Sequence, residues 1–248
     1  MNYSDFEYEL FSRQFILKDF SSEKISKLSD LKITVVGLGG IGSPLCIYLA
    51  SSGIKNLKII DGDLVENNNL NRQILYNVDD IGKKKVEVAK IKLKKINPKI
   101  NIEVFDFNIN LNNISILDKP SIIIDTTDNW ENTKNINEYC VKNSINFIFS
   151  SAVGYDVQIA LFPNNQNNHT CLNCIFPNKE DIELPRCENI GIYGITAGIA
   201  GLITAQKTLS YLLDFKSEIN TLTLLDTKNE EQEKIKIIKN NNCYMNNI

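Results

Sequence analysis

The stretch "KITVVGLGGIG", residues 32–42, decides the fold. A short apolar run rich in β-branched residues ends at Gly37. Gly37, Gly39 and Gly42 then follow in G-x-G-x-x-G spacing, and a helix pattern runs over roughly 41–53. A strand that feeds a glycine turn and then a helix is the first half of a nucleotide-binding βαβ unit. The first glycine permits the tight turn, the second lets a phosphate approach the backbone, and the helix N-terminus offers N–H groups to an anion. Asp61 closes the next apolar run, "LKIID" (57–61), where a carboxylate can take both hydroxyls of a ribose. The glycine pattern by itself fits NAD as readily as ATP, so a dehydrogenase is the rival reading.

Outward from this unit, β-like and helix-like stretches alternate. Residues 82–96 place Val86, Ala89, Leu93 and Ile96 on one helical face, with lysines on the other. "NIEVF" (101–105) and "SIIID" (121–125) read as strands, a helix follows near 130–143, and "NFIFSS" (146–151) is a further strand. "DVQIALF" (156–162) and "INTLTLLD" (219–226) alternate in polarity and read as antiparallel additions, with a helix over 190–213 between them. The order predicts an α/β class: a doubly wound, mainly parallel, Rossmann-like sheet with antiparallel C-terminal strands. One domain over 1–248 is the simplest division, with a helical arm at 1–30 and a mobile crossover loop at 163–189.

The 248 residues are 43% hydrophobic and 23% charged, with a formal charge of −3, as expected of a globular chain with a substantial core. Lysines and acids are interspersed, so no basic face points to nucleic acid. The N-terminus lacks a signal pattern, and the Gly-rich run at 190–205 is short for a membrane span and reads as a core helix packed closely on a neighbour. The expected setting is the cytoplasm, where the six cysteines serve as free thiols, metal ligands or catalysts.

Of 27 basic residues only three are arginines: Arg13, Arg72 and Arg186. Arg72 follows the second strand in "NNNLNRQILY" (67–76), at the mouth where ligands sit in such sheets. An ATP site that transfers its nucleotide needs cationic clamps and a metal carboxylate, which a dinucleotide site does not. Asn69 and Gln73 flank Arg72, Lys85 opens the next helix, and "DTTDN" puts Asp125 and Asp128 at the end of the fourth strand, where Asp128 can hold Mg²⁺.

"FSRQFIL", "VVGLGGIGSPLCIYLASSGI", "IIDGDLVENNNLNRQILY", "IGKKKVEVA" and "DTTDN" occur in the order found in the ThiF/MoeB/HesA family, and the chain resembles that family from about residue 6 to 243. The resemblance implies an adenylyltransferase that uses ATP and Mg²⁺ to activate the C-terminal Gly-Gly of a small ubiquitin-like carrier protein. It implies Arg72 and Lys85 as clamps on the phosphates, Asp61 as the ribose ligand and Asp128 as the Mg²⁺ ligand. Gly37, Gly39, Gly40, Gly42, Asp63, Asn69 and Gln73 would belong to the same nucleotide pocket. Arg13 would reach into the partner subunit's site, implying a homodimer. A guanidinium makes forked contacts with phosphate that Lys cannot copy, which explains arginine in a lysine-rich chain.

Cys171 and Cys174 form "CLNC", the spacing of a zinc half-site. Relatives of the family usually add a second C-x-x-C near the C-terminus. Here Cys243 is present, and Asn246 stands where a fourth thiolate would be. His169 is a candidate fourth ligand, and Cys₃His zinc, a weakened site or no metal are all compatible with the residues. Cys46 and Cys140 read as packing residues. Cys187, beside Arg186 and just before the Gly-rich helix, is placed to ionise easily. The resemblance implies a covalent link from Cys187 to the carrier; a spectator thiol is the alternative. "RQILY" and "SSAVGYDVQIALF" (150–162) resemble the ThiF branch, which acts on a ThiS-like carrier in thiamine thiazole synthesis with a separate sulfur donor, more than the MoeB branch of the molybdopterin pathway. A peptide-modifying adenylyltransferase of the same superfamily is a further alternative.

Overall fold

Apolar runs with a period of two become strands whose alternate residues feed two separate cores. The computed structural model describes residues 3–164, 170–177, 191–240, 243 and 245. Strands β1 (Lys32–Val36), β2 (Asn56–Ile60), β3 (Asn101–Phe105), β4 (Ile122–Asp125) and β5 (Asn146–Val153) lie in the order β3-β2-β1-β4-β5. Every neighbouring pair among them is parallel. Strands β6 (Asp156–Phe162), β7 (Thr221–Asp226) and β8 (Glu231–Lys236) then extend the sheet antiparallel. The mainly parallel sheet with antiparallel C-terminal strands is as the sequence predicts.

The helices in chain order are α1 (Asp5–Leu10), α2 (Ser12–Phe15), α3 (Ser22–Asp30), α4 (Gly42–Ser51), α5 (Lys85–Ile96), α6 (Trp130–Lys142), α7 (Leu172–Ile175) and α8 (Gly194–Leu212). Ile33, Val35, Ile122, Ile124 and Ile148 point into the core shared with α4, α5 and α8. Val36, Ile60, Ile123, Phe147 and Phe149 point to the opposite core, beneath α6. In α5, Val86, Ala89 and Leu93 are fully buried, as their spacing predicts, and Ile96 packs at the margin.

Helix α8 lies almost on the backbone of α4. A Cβ added at Gly201 would sit 2.5 Å from the Ile41 carbonyl oxygen and 2.6 Å from Pro44 Cγ. Ala197 and Ala200, on the same face, are fully buried. None of the described helices is long and apolar enough to cross a membrane.

Three elements differ from the sequence expectation. The helix expected from residue 190 begins at Gly194, because Gly191 takes φ +82° and Ile192 pairs in a parallel bridge with Gly154. The 163–189 connection is not one uninterrupted loop: α7 sits inside it, with Leu172 fully buried. Strand β8 ("EQEKIK") has no apolar alternation and every residue of it is exposed; its pairing with β7 supplies the order its composition does not. Its charged side chains also suit an edge that must not recruit another strand.

Gly201→Ala should cost about 1–3 kcal/mol, the usual range for overpacking a close contact. The measurement is a lower urea midpoint at unchanged m-value.

Candidate active site

The site stands at the C-terminal ends of β1, β2 and β4, where the sheet order reverses direction between β1 and β4. Gly37 turns with φ +91°, and α4 begins at Gly42 with no side-chain cap. A Cβ on Gly42 would lie 2.1 Å from the Gly37 carbonyl oxygen, so the strand-to-helix turn has room for glycine alone. Among the described residues, the backbone N–H groups of Gly39, Gly40 and Ile41 have no hydrogen-bond acceptor. They form a cluster of free donors at a helix N-terminus, the arrangement that receives a phosphate.

Asp61 is buried beside this loop. Its Oδ2 accepts from Leu38 N–H at 2.6 Å and its Oδ1 from Asp63 N–H at 2.9 Å. Burial raises its pKa, and the Lys85 charge and these N–H groups partly offset that rise. Each oxygen keeps a second lone pair, so Asp61 braces the glycine loop and can still accept from a ligand. The Lys85 ammonium is buried and paired to Asp63 Oδ2 at 2.8 Å.

Arg72 lies across the glycine loop. A Cβ on Gly40 would meet its Cγ at 3.3 Å and its Cδ at 3.4 Å. One guanidinium nitrogen donates to the Asn68 carbonyl at 2.8 Å and to Asn71 Oδ1 at 3.0 Å. Gln73 is buried, and its Oε1 has no partner among the described residues. Its amide faces Gly39, where a Cβ would come within 3.7 Å of Nε2. An orphaned buried amide beside free N–H donors fits a polar ligand. Asn69, expected to line the pocket, is instead buried in its own turn, accepting from Glu66 N–H at 3.1 Å and donating to Asn68 Oδ1 at 2.7 Å.

Asp128 is exposed at the end of β4, with Asp125 buried behind it. Thr127 donates to Asp125 Oδ1 through its N–H at 3.0 Å and its hydroxyl at 2.8 Å, and Thr133 donates to Oδ2. Thr126 Oγ1 donates to the Gly37 carbonyl at 2.9 Å, tying this turn to the glycine loop. The single free-standing carboxylate of Asp128 suits Mg²⁺, which takes few protein ligands and completes its shell with phosphates and water.

Arg13 is not in this group. It is exposed on α2, which packs at the far end of α4: Gln14 Nε2 donates to the Ser52 carbonyl at 2.8 Å. The 10 residues of α4, at roughly 1.5 Å each, therefore separate the Arg13 arm from the glycine loop.

Cys171, Cys174 and Cys243 gather away from that mouth, with all three sulfurs within 4.8 Å of one another and the Cys171 and Cys243 sulfurs 3.7 Å apart. A hydrogen bond from the Cys171 thiol, with N–H groups of Asn240 and Cys171, pulls the Cys174 pKa well below the ordinary thiol value, while Cys171 is raised. This donor set fits a thiophilic ion such as Zn²⁺. Cys187, Arg186, His169 and Asn246 lie outside the described residues. Cys46 and Cys140 are fully buried packing residues, as expected.

The sequence reading missed how α8 completes the site. The Gly40 backbone abuts Ala197, and a Cβ on Gly194 would be 2.5 Å from the Asn71 carbonyl oxygen. The signal was the small-residue run itself, read as packing in general without its partner.

The ThiF family model matches residues 11–245. The chain is 35% identical over 243 residues to a probable molybdopterin-synthase adenylyltransferase of Porphyra purpurea, covering 95% of this chain and 62% of that one. It therefore spans less than two thirds of that relative. It is 28% identical over 243 residues to the sulfur carrier protein ThiS adenylyltransferase of Escherichia coli K12, covering 97% of this chain and 95% of that one. The crystal structure of E. coli MccB with MccA-N7isoASN shares the fold at TM-score 0.84 and 24% identity, over 98% of this chain and 75% of that one.

Burial lifts the Asp125 carboxyl from 3.8 to about 6 against the opposing bonds from Thr133 and Thr127. The folded chain then binds more protons than the unfolded chain between those values. The contribution of Asp125 to stability is full below 3.8, falls as pH rises to about 6 and is level above. Asp125→Asn should remove this decline, seen as a smaller fall of Tm relative to wild type between pH 4 and 6.5 in thermal scans at closely spaced pH.

Proposed function

The chain belongs to the ThiF family, and on that premise we propose that it is an ATP-dependent adenylyltransferase. Residues 1–248 act as one adenylation domain that activates the C-terminal carboxylate of a small sulfur-carrier protein. The observation that carries this reading is Arg72 laid across Gly40, beside three free backbone N–H groups. Backbone N–H groups alone suffice for a dinucleotide's pyrophosphate, whereas a cation at the glycine loop suits a triphosphate whose charge grows as pyrophosphate leaves. That weighs against the dehydrogenase reading.

In the reaction, a carboxylate oxygen of the carrier attacks the α-phosphorus of ATP and the bond to the bridging oxygen breaks. Carrier acyl-adenylate and pyrophosphate result. Arg72 and Lys85 stabilise the phosphate oxygens; Lys85 exchanges its contact with Asp63 for one with phosphate. Asp61 accepts from the ribose, and Gln73 contributes its unpaired amide oxygen. Asp128 would hold Mg²⁺, which neutralises charge on the phosphates. The role of these groups is to position and to stabilise charge. Arg13, displaced from its own chain's site by the length of α4, serves the partner's site in a homodimer. Cys187 takes the acyl group from the adenylate as a thioester, with AMP leaving, before a separate donor supplies sulfur. The setting is cytoplasmic.

Among carriers we favour a ThiS-like protein, because "RQILY" and "SSAVGYDVQIALF" resemble that branch. The 35% identity to the probable molybdopterin-synthase enzyme favours a MoaD-like carrier as the second reading. Zn²⁺ would sit at Cys171, Cys174 and Cys243, joining α7 to the C-terminal segment.

Carrier-dependent exchange of labelled pyrophosphate into ATP, run with Mg²⁺ and ThiS-like and MoaD-like carriers in parallel, tests the function. Exchange with the first alone is expected, and exchange with neither refutes carrier adenylation. Arg72→Ala should lower the rate by roughly tenfold to a thousandfold; near-normal turnover removes its assigned role. Metal analysis of the purified protein should give zinc in equal ratio to the chain, lost in Cys174→Ser. Protein that carries no zinc after purification in zinc-supplemented medium rejects that site.

A further inference from the structure

Tyr76 ends the segment that carries Arg72 and Gln73, and its ring is packed into the core beneath α4. Its hydroxyl donates to the Leu38 carbonyl at 3.1 Å. Ser43, fully buried in the first turn of α4, donates through Oγ to the same carbonyl at 3.2 Å. The Leu38 N–H is held as well, by Asp61 Oδ2 at 2.6 Å. One residue of the glycine loop is thus gripped at both of its polar backbone groups. Burial, and after it the Asp61 charge, pushes the Tyr76 pKa up, so the hydroxyl keeps its proton and donates.

The consequence lies one atom further along the chain. A peptide unit is planar and trans, so its C=O and its N–H point in opposite directions. The Leu38 carbonyl shares its unit with the Gly39 N–H. Holding that carbonyl inward therefore turns the Gly39 N–H outward, toward the site. The next unit obeys the same rule: the Gly39 carbonyl accepts from Ser43 N–H at 2.9 Å, which turns the Gly40 N–H outward. The preceding unit is closed at both ends, its Gly37 carbonyl by Thr126 Oγ1 at 2.9 Å and its Leu38 N–H by Asp61. Of the two units that leave an N–H free, the one ending in Gly39 is anchored by side chains alone.

That anchor answers a real freedom. Glycine has little backbone preference of its own, and Gly37, Gly39, Gly40 and Gly42 crowd this turn. Rotation of the Leu38–Gly39 unit would replace a donor with a carbonyl oxygen and present negative charge to a phosphate. The Tyr76 bond opposes that rotation. It also ties the glycine loop to the segment that presents Arg72, so the N–H donor and the guanidinium keep a fixed relation to one another. A phenylalanine would fill the same space; the packing does not require the hydroxyl.

We propose that Tyr76 is a positioning residue for the nucleotide: with Ser43 it holds the Leu38 carbonyl inward, and so keeps the Gly39 N–H aimed at the phosphates and registered to Arg72. This rests on the reading of the glycine loop as an ATP site. Tyr76 itself touches neither nucleotide nor reacting atoms.

The test is calorimetric titration with Mg²⁺-ATP of wild type, Tyr76→Phe, Ser43→Ala and the double variant, with Tyr211→Phe as control. The control removes a comparable bond, from the Tyr211 hydroxyl to Asn146 Oδ1 at 3.0 Å, at the end of β5 away from the site. Urea midpoints report the folding of each protein. Tyr76→Phe should raise the Kd for ATP about two- to tenfold, the worth of one neutral hydrogen bond, in the wild-type and the Ser43→Ala background alike. Tyr211→Phe should leave that Kd unchanged. A Kd unmoved by Tyr76→Phe in both backgrounds, or a rise matched by Tyr211→Phe, overturns the positioning role. Wild type that binds ATP yet gives no pyrophosphate exchange with either carrier removes the adenylation reading, and the titrations still decide the role of Tyr76. Wild type that binds no ATP overturns both.

Discussion

The Gly37 carbonyl oxygen occupies the place where Gly42 would carry a side chain, 2.1 Å from that missing atom. The contact sets the angle at which α4 leaves β1. Thr126 donates to the same carbonyl and to that of Val36, so the end of β4 is fastened to the turn. Asp61 takes the Leu38 N–H, fastening the end of β2 as well. Three strand ends are thus registered to one tight turn, and the groups they carry (Asp61, Arg72, Lys85, Asp128) inherit their positions from it. A larger residue at position 42 would move the whole constellation.

The electrostatics are arranged in advance. Lys85 is a buried ammonium oriented by its ion pair with Asp63, whose side chain is 58% exposed. A buried cation without a partner would be costly, so the pair stabilises the empty site and holds the ammonium at the loop. Arg72 is held similarly, by neutral oxygens of Asn68 and Asn71 that compete weakly with phosphate. In both cases the resting partner is one that an incoming polyanion can replace. Preorganisation of this kind spares reorganisation at the moment of reaction.

How much of this was legible in the sequence follows from locality. The β1 turn, α5 and the parallel strands declare themselves through short-range pattern, because a β-branched run or a 3.6-residue period is dictated by the faces the element buries. Strand β8 is invisible to such a reading: "EQEKIK" pairs because a turn at 227–230, with Glu230 at φ +59°, folds it against β7. Motif order expects Arg72, Lys85 and Asn69 around one pocket, and it does not foretell that the Asn69 side chain closes its own turn. A spacing places a residue in a loop and leaves the direction of its side chain to tertiary contacts. The meeting of Ala197 with Gly40 joins segments more than 150 residues apart, and no local pattern encodes it.

Helix α8 touches the site at three points. Its first residue abuts the Arg72 loop, its next turn abuts Gly40, and Gly201 rests on the start of α4. The residue before it, Tyr193, packs its ring against Tyr155 of the β5–β6 turn. One rigid rod therefore fixes where the glycine loop, the Arg72 loop and the start of α4 stand relative to one another. A substitution in 194–201 would be felt at the glycine loop, at the Arg72 loop and at the start of α4 together, three places far apart in the chain that share one neighbour.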